Sequence, residues 1–231
     1  MRIILSIVGA SLPEGAREVG LEDSELVPHE PGSFVEVNRL MESLSQGDRI
    51  RFLYPATIEG SQYVSALSSY FAKRGYPSVA TEIPGFLCSH TSSTERGLRS
   101  LVSLVCGELR AARRERLPVV LYDSGECGTV TAYTSLIGQI FGIPVYSYYQ
   151  SSLAIPLSPS PNLQSLFYRH EAFFRWLQEE RCPTFQVRKR LSHLPASLTA
   201  LVGNDSHGFT TLSPLGELYF EAYLSQQELC K

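Results

Sequence analysis

The chain of 231 residues lacks several of the patterns that mark common functional classes, beginning with patterned cysteines. Its five cysteines are odd in number, stand at positions 88, 106, 127, 182 and 230, and show no CxxC or CxxH spacing. A disulfide framework needs paired cysteines, and a zinc site needs closely spaced cysteines or histidines. The sequence therefore predicts neither of these, and we expect no metal site.

Charge of one sign and long apolar runs are also missing. The 20 basic and 23 acidic residues leave a net charge of −3, which gives no support to the wrapping of duplex DNA and leaves only a local basic patch open. No apolar run reaches the length of a membrane span. The opening "MRIILSIVGASLPEG" turns polar where a signal peptide would stay apolar, so it predicts a first β-strand in a cytoplasmic protein without membrane contact.

Familiar nucleotide-binding and catalytic motifs are absent as well. The first predicted strand is followed by "VGASLPEG" instead of G-x-G-x-x-G, and no glycine turn leads to a Walker lysine. "DSGEC" does not fit the G-x-S-x-G elbow of a serine hydrolase. The histidines at 29, 90, 170, 193 and 207 are scattered, which is more typical of surface or packing roles than of a general base. Redox, NTPase and serine hydrolase functions are therefore not favoured.

What the sequence does contain is a rhythm of apolar runs separated by helical patterns. The strand-like runs are "RIILSIVG", "DRIRFLYPA", "YPSVATEIP", "LPVVLYDSG" and "IPVYSYYQ". Alternation of this kind predicts an α/β fold of Rossmann-like type, with a mostly parallel sheet of about six strands. Gly142 and Pro144 are expected to end the helix that precedes the fifth run.

The pattern changes after Pro161, which suggests two parts. We expect a ligand-binding domain over residues 1–161 and a small helical domain over residues 162–231, with a winged-helix-like arrangement as an alternative for the second. The last predicted helix begins with Ser213 as N-cap and Pro214 at its first position. A long polar loop with several Gly and Pro residues separates the first strand from the helix near Ser33, and loops of that length are usually functional or mobile.

The loops that follow the predicted strands carry the functional signal. In an open parallel sheet, ligands bind outside the carboxyl ends of the strands, which here selects Gly9–Gly15, Pro55–Gly60, Ser124–Thr129 and the segment after Tyr149. These loops offer hydroxyl groups, and their glycines let backbone N–H groups approach an anion near a helix N-terminus. The pattern favours a phosphate- or nucleotide-sized ligand. The alternative is that glycine and serine only form tight turns.

Five segments stand in the chain in this order: "SIVGASL", "GDRIRFLYPATIEGSQYVSALSSYFAKRGY", "ERGLRSLVSLVCGEL", "DSGECGTVTAYTSLIGQIFGIPVYSYYQ" and "IPLSPSP". Together they resemble the CRISPR-associated Rossmann-fold (CARF) proteins. Within that family the chain is most similar to the small ring nucleases that act on cyclic tetra-adenylate. The resemblance covers about residues 1 to 161, and "LSPLGELY" in the helical tail more loosely.

The resemblance implies a ligand site around the turn that the family usually writes T-G-G-x-K. Here Ser124 and Gly125 match its first two positions, Glu126 replaces the second glycine and Gly128 stands where the family has lysine. Glu126 is unfavourable beside a polyphosphate unless its carboxylate points away or accepts ribose hydroxyls. The implied ligand-binding residues are Gly9, Ala10, Ser11, Thr57, Ser124, Gly125, Glu126, Gly128, Thr129, Gln150 and Ser151.

The resemblance also implies a chemistry that needs no metal or cofactor, in which a ribose 2′-hydroxyl attacks the adjacent phosphorus. It implies Ser11 as a catalytic donor and a cation from beyond the sheet, for which Lys189 in "VRKRL" and Arg169 in "LFYRHE" are candidates. The alternative for "RKR" is a solvated helix face. A homodimer is expected, because a twofold axis matches the symmetry of a cyclic ligand. The alternative function is a messenger sensor that does not cleave and acts through its C-terminal domain, for which DNA binding stays open.

Overall fold

The structure is a computed structural model that describes residues 1–9, 35–86, 91–123, 127–147, 167–180, 182–199, 201–204 and 207–228. Strands and helices alternate through its first part. The elements there are β1 (Ile3–Ile7), α1 (Val35–Ser43), β2 (Arg49–Pro55), α2 (Ile58–Ala72), β3 (Ser78–Ile83), α3 (Thr91–Arg114), β4 (Val119–Asp123), α4 (Gly128–Phe141) and β5 (Val145–Ser147). No described helix combines the length and the apolarity needed to cross a bilayer.

The five strands form one parallel sheet in the order β3-β2-β1-β4-β5, which confirms the predicted α/β class. The predicted count of about six strands is wrong for the described part of the chain, where the sheet has five. The reason is visible in the sequence, because only five apolar runs alternate with helical patterns and each of them forms one strand.

Helices cover both faces of the sheet, as the buried strands require. On one face, Ile3, Leu5 and Ile7 of β1 belong to the hydrophobic cluster that contains the apolar residues of α3 and α4. On the other face, Ile4 and Val8 pack with α1 and α2. All five residues of β1 are buried, so their run of apolar residues is that of a central strand covered on both sides.

Helix ends agree with the turn residues of the sequence. α4 stops at Gly142, whose φ of 67° is left-handed, and Ile143 N donates to Gly138 O, as predicted for a glycine C-cap. Arg116, after α3, also has a positive φ of 55° although it is not glycine.

The C-terminal part contains more than the helices that the sequence predicted. Its elements are α5 (Glu171–Glu179), β6 (Cys182–Pro183), α6 (Thr184–Leu191), α7 (Ala196–Thr199), β7 (Val202–Asn204), β8 (Phe209–Leu212) and α8 (Pro214–Glu228). The three short strands form an antiparallel sheet in the order β6-β8-β7. The predicted start of α8 is confirmed, because Gly216 N donates to Ser213 Oγ at 3.0 Å.

The C-terminal elements pack on α3 and α4 and share their core. Phe167, Phe174, Phe220 and Tyr223 are fully buried and form one aromatic cluster with ring centroids 4.9–5.9 Å apart. They belong to the same hydrophobic cluster as β1 and α3. The predicted boundary between residues 161 and 162 lies outside the described residues.

Candidate functional site

The carboxyl edge of the parallel sheet brings together the ends of the strands from which the predicted loops leave. β1 and β4 are neighbours, and Ile7 lies opposite Asp123 where both strands end. Ile7 also lies opposite Leu53 of β2, and Asp123 lies opposite Ser147 of β5. The strand order turns from decreasing to increasing between β1 and β4, and this is the point of an open parallel sheet at which ligands bind.

The end of β1 is deeply buried. Val8 is 1% exposed, its N–H donates to Leu53 O at 2.8 Å, and Gly9 after it is also buried. The backbone therefore leaves the sheet from a fixed position beside β2 and β4. Ala10 and Ser11 lie outside the described residues, so the donor role of Ser11 stays a prediction.

Thr57 lies at the end of β2, and its side chain already has a local role. It is the N-cap of α2, and its Oγ1 accepts a hydrogen bond from Gly60 N at 3.0 Å. The hydroxyl hydrogen is left to donate, so the cap is compatible with a phosphate contact. Gly60 is required by packing, because an added Cβ would lie 2.7 Å from Pro55 O.

The start of α4 is exposed at this edge. Cys127 is the N-cap and makes no side-chain capping bond, while Gly128 and Thr129 in the first turn are exposed. A Cβ added to Gly128 would meet no described residue within 4 Å, so the described part of the chain leaves room for a larger side chain. N–H groups in this first turn lack a helical partner and favour an anion. Ser124, Gly125 and Glu126 lie outside the described residues.

β5 contributes one ring of an aromatic pair. Tyr146 stacks on Tyr122 of β4, with ring centroids 5.2 Å apart and planes at 22°. The pair fixes β4 against β5 below the edge, on the face covered by α1. Gln150 and Ser151 lie outside the described residues.

The two predicted cations are both exposed on the C-terminal part. Arg169 lies in the turn between Phe167 and α5, and Lys189 lies on α6, which packs against β6 and β8. Neither side chain forms a hydrogen bond or an ion pair with another described residue. The contacts of the described residues do not place them over the sheet edge, so their catalytic role stays a prediction.

Arg99 is a residue that the sequence analysis missed. From α3 its guanidinium donates to Glu217 Oε1 at 2.6 Å, to Glu95 Oε1 at 3.0 Å and to Thr211 Oγ1 at 3.0 Å. It therefore joins the sheet domain to α8 and β8. No sequence signal could have found it, because Glu217 and Thr211 follow it by more than a hundred residues.

A groove of about 440 Å³ opens beside this contact. Its lining includes Arg99, Gln178, Glu217 and Glu221, and the carboxylates are paired with arginines, Glu217 with Arg99 and Glu221 with Arg110. Burial raises the pKa of Glu217, and the nearby Arg99 opposes that shift. The groove thus lies along the contact between α3 and α8, and its carboxylates are neutralised by the arginines that pair with them.

Neither a search for metal-ligand clusters nor a comparison with known proteins adds residues to the site. Within the described ranges, no group of three or more His, Cys, Asp or Glu is arranged to hold a metal ion. A scan of protein-family models gives no match to the chain, and a search of curated proteins gives none. The carboxyl edge between β1 and β4 is therefore the candidate site on geometric grounds.

Proposed function

We propose that the chain binds a cyclic oligoadenylate, cyclic tetra-adenylate in the first place, at the carboxyl edge of its sheet. The observation that carries this proposal is the register of β1 and β4, since Ile7 and Asp123 end side by side at the point where the strand order reverses. The loops with Ser11 and with Ser124 to Thr129 leave the sheet from those two positions. The resemblance to the CARF proteins supplies the class of ligand.

In this proposal the chain is a cytoplasmic ring nuclease that removes the messenger of type III CRISPR complexes. The ribose 2′-oxygen forms a bond to the adjacent phosphorus, the bond from phosphorus to the 5′-oxygen breaks, and a 2′,3′-cyclic phosphate remains. The 2′-hydroxyl loses a proton and the leaving 5′-oxygen gains one, so no water is consumed. Positioning of the reacting groups supplies several kcal/mol, and each well-aimed donor about 3 kcal/mol more.

The assigned groups each serve one of these needs. Ser11 donates to a phosphate oxygen, and the uncapped N–H groups at the start of α4 face the anion. A full positive charge is needed as well, because the ring carries one negative charge per phosphodiester. Lys189 or Arg169 supplies it, with the C-terminal part closing over the edge.

A homodimer is part of the proposal. Two copies related by a twofold axis present two equivalent loop sets to a ring of identical nucleotides, which one copy cannot do. Light scattering with the ring present should give the mass of two chains. A monomer at micromolar concentration would contradict this arrangement.

A second candidate is a sensor that binds the ring without cleaving it. It is favoured by Gly128, which leaves the family's lysine position empty, and by the C-terminal element order α5-β6-α6-α7-β7-β8 with a three-stranded sheet, as in winged-helix domains. In that case Arg99 would couple the ring site to the C-terminal part through α3.

One experiment separates the two candidates. The protein is incubated with cyclic tetra-adenylate in EDTA, and products are followed by chromatography while binding is measured in parallel. For a ring nuclease, Ser11→Ala should lower the single-turnover rate by about a hundredfold or more with little change in Kd. Binding without any product supports the sensor, and the absence of both binding and cleavage contradicts both candidates.

A further inference from the structure

The outward face of α6 combines an aromatic side chain with positive charge. Phe185 is 77% exposed, more than any other large apolar side chain of the described residues. Arg188 and Lys189 follow it by three and four positions, and both are exposed. Because residues at these spacings are neighbours on a helix surface, the ring and the two cations share one face.

The helix is held from its other side, which leaves this face unoccupied. Val187 is buried, and the Arg190 guanidinium lies 4.7 Å from the centroid of the Trp176 ring. Trp176 in turn donates from Nε1 to Glu180 Oε2 at 2.7 Å, so this carboxylate is engaged with α5. Arg190 and Val187 therefore fix α6 while Phe185 points to solvent.

The two charges on this face have no counter-ion among the described residues, in contrast to several arginines of the sheet domain and of α5. Arg99, Arg110 and Arg175 each form an ion pair with a glutamate. Arg188 and Lys189 form none with any residue that the structure describes. Exposing Phe185 beside two unneutralised cations has no benefit for folding, because the ring stays in water.

We propose that this face binds single-stranded nucleic acid, with a base stacked on Phe185 and phosphates held by Arg188 and Lys189. Aromatic side chains flanked by positive charge are how proteins hold single strands without reading their sequence. The proposal goes beyond ring binding and does not depend on Ser11 or on the carboxyl edge.

Duplex DNA fits this surface less well. α7, which follows α6 in the position of a recognition helix, has four residues and none of them is basic. The hairpin of β7 and β8 contains no lysine or arginine either. Reading a major groove needs a longer helix with side chains that reach the bases. A single strand can instead bring its bases to Phe185.

Binding is tested by fluorescence anisotropy of labelled oligonucleotides of about 12 nucleotides, oligoadenylate RNA and oligothymidylate DNA. Phe185→Ala and Phe185→Leu should each weaken binding about tenfold, whereas Phe185→Trp should keep it, because the aromatic face is what binds. Arg188→Ala with Lys189→Ala should lower the slope of log K against log salt by about 1.4, as two phosphate contacts are lost.

Controls separate this face from general charge and from folding. Lys73→Ala removes an exposed lysine at the end of α2 and should leave binding unchanged, and each variant should melt at the wild-type temperature. Failure of the wild-type protein to bind either oligonucleotide at about 10 μM overturns the proposal. Equal affinity for a duplex of the same sequence, loss of binding in Lys73→Ala, or a Phe185→Leu variant that binds like wild type also overturns it.

Ring cleavage measured on the same variants keeps the two proposals apart. If Arg188→Ala with Lys189→Ala loses oligonucleotide binding but cleaves the ring normally, the α6 face stands and the cation of the ring site must be Arg169 or another group. If ring cleavage is lost while oligonucleotide binding is unchanged, the face is assigned wrongly and Lys189 belongs to the ring site.

Discussion

At the scale of single residues, Asp48 is the charge with the clearest structural role. Its side chain is 1% exposed and accepts hydrogen bonds from Arg2 N, Arg2 Nε and Ser45 N at 2.9–3.0 Å. Burial alone would raise the pKa of Asp48, but these hydrogen bonds outweigh it and hold the pKa below its usual value. The carboxylate therefore ties the N-terminus to the turn before β2.

Asp48→Asn should lower the free energy of unfolding by about 2 kcal/mol at neutral pH, because charge-assisted hydrogen bonds are lost. Since the folded-state pKa lies below the unfolded one, this stability is present above the unfolded pKa and disappears as the pH falls through the folded pKa. Urea unfolding at pH 7 and at pH 3 should show the difference between variant and wild type shrink. The control is Glu115→Gln in the exposed pair with Arg49, which should change little at either pH.

Gly128 is the residue at which the ring hypothesis can be tested by gain of function. No described residue lies within 4 Å of the Cβ that a side chain would add, so Gly128→Lys should fold with nearly unchanged stability and place a cation at the start of α4. We expect it to bind cyclic tetra-adenylate about tenfold more tightly at low salt, with a steeper salt dependence. Isothermal titration at two salt concentrations measures this.

Gly60 is the matched control, because a side chain added there would clash with the backbone. Gly60→Ala places its Cβ 2.7 Å from Pro55 O, so it should lower stability by about 2 kcal/mol or more. If Gly128→Lys lowers the free energy of unfolding as much as Gly60→Ala, the space at Gly128 is not free. If Gly128→Lys folds but leaves the affinity for the ring unchanged, the start of α4 is not the anion site.

At the scale of elements, strands were easier to predict than the contacts between distant helices. The apolar runs gave all five strands of the sheet, and Gly142, Ser213 and Pro214 gave helix ends, because these signals are local. β6, β7 and β8 were missed, since strands of two to four residues leave no alternation to detect. The candidate edge followed from strand order, whereas the pairing of Arg99 with Glu217 depends on tertiary packing.

The contact between α3 and α8 should depend on pH through Glu217. Burial raises the pKa of this carboxyl, with Arg99 opposing the shift and Glu221 and Glu95 adding to it. Because the folded-state pKa lies above the unfolded one, ionised Glu217 weakens the folded state at neutral pH, and that penalty is relieved as the pH falls through the folded pKa. When the pH is lowered moderately, the free energy of unfolding of the wild-type protein should thus rise relative to that of the Glu217→Gln variant.

Chemical denaturation of both proteins at several pH values between neutral and acid measures this difference. Arg99 keeps Glu95 and Thr211 as partners in the variant, so Glu217→Gln is expected to fold. A difference between the two proteins that does not vary with pH would mean that Glu217 titrates normally.

At the scale of the whole molecule, the thiol of Cys106 can show whether the C-terminal part is an appendage or a component of the core. It lies on α3 with an exposure of 0%, and burial raises the pKa of its thiol to about 12, with Glu221 of α8 adding to the shift. The thiol is therefore covered where α8 packs on α3, and it is a chemical probe of that contact.

A chain ended at Pro161 should lose this cover. Removal of α5 to α8 takes Phe167, Phe174, Phe220 and Tyr223 out of a cluster that is continuous with β1, so we expect an aggregating or loosely packed product without a cooperative transition. The other cysteines are replaced by serine, which means Cys88 and Cys127 in the short chain and also Cys182 and Cys230 in the full chain. The thiol of Cys106 should then react with a disulfide reagent at nearly the unfolded rate in the short chain. In the full chain it should react only as fast as the protein unfolds. A short chain that unfolds cooperatively and still protects Cys106 would show that the sheet domain is complete by itself. Ring cleavage by that short chain would then test whether the C-terminal part closes over the carboxyl edge, beside the point variants of Lys189 and Arg169.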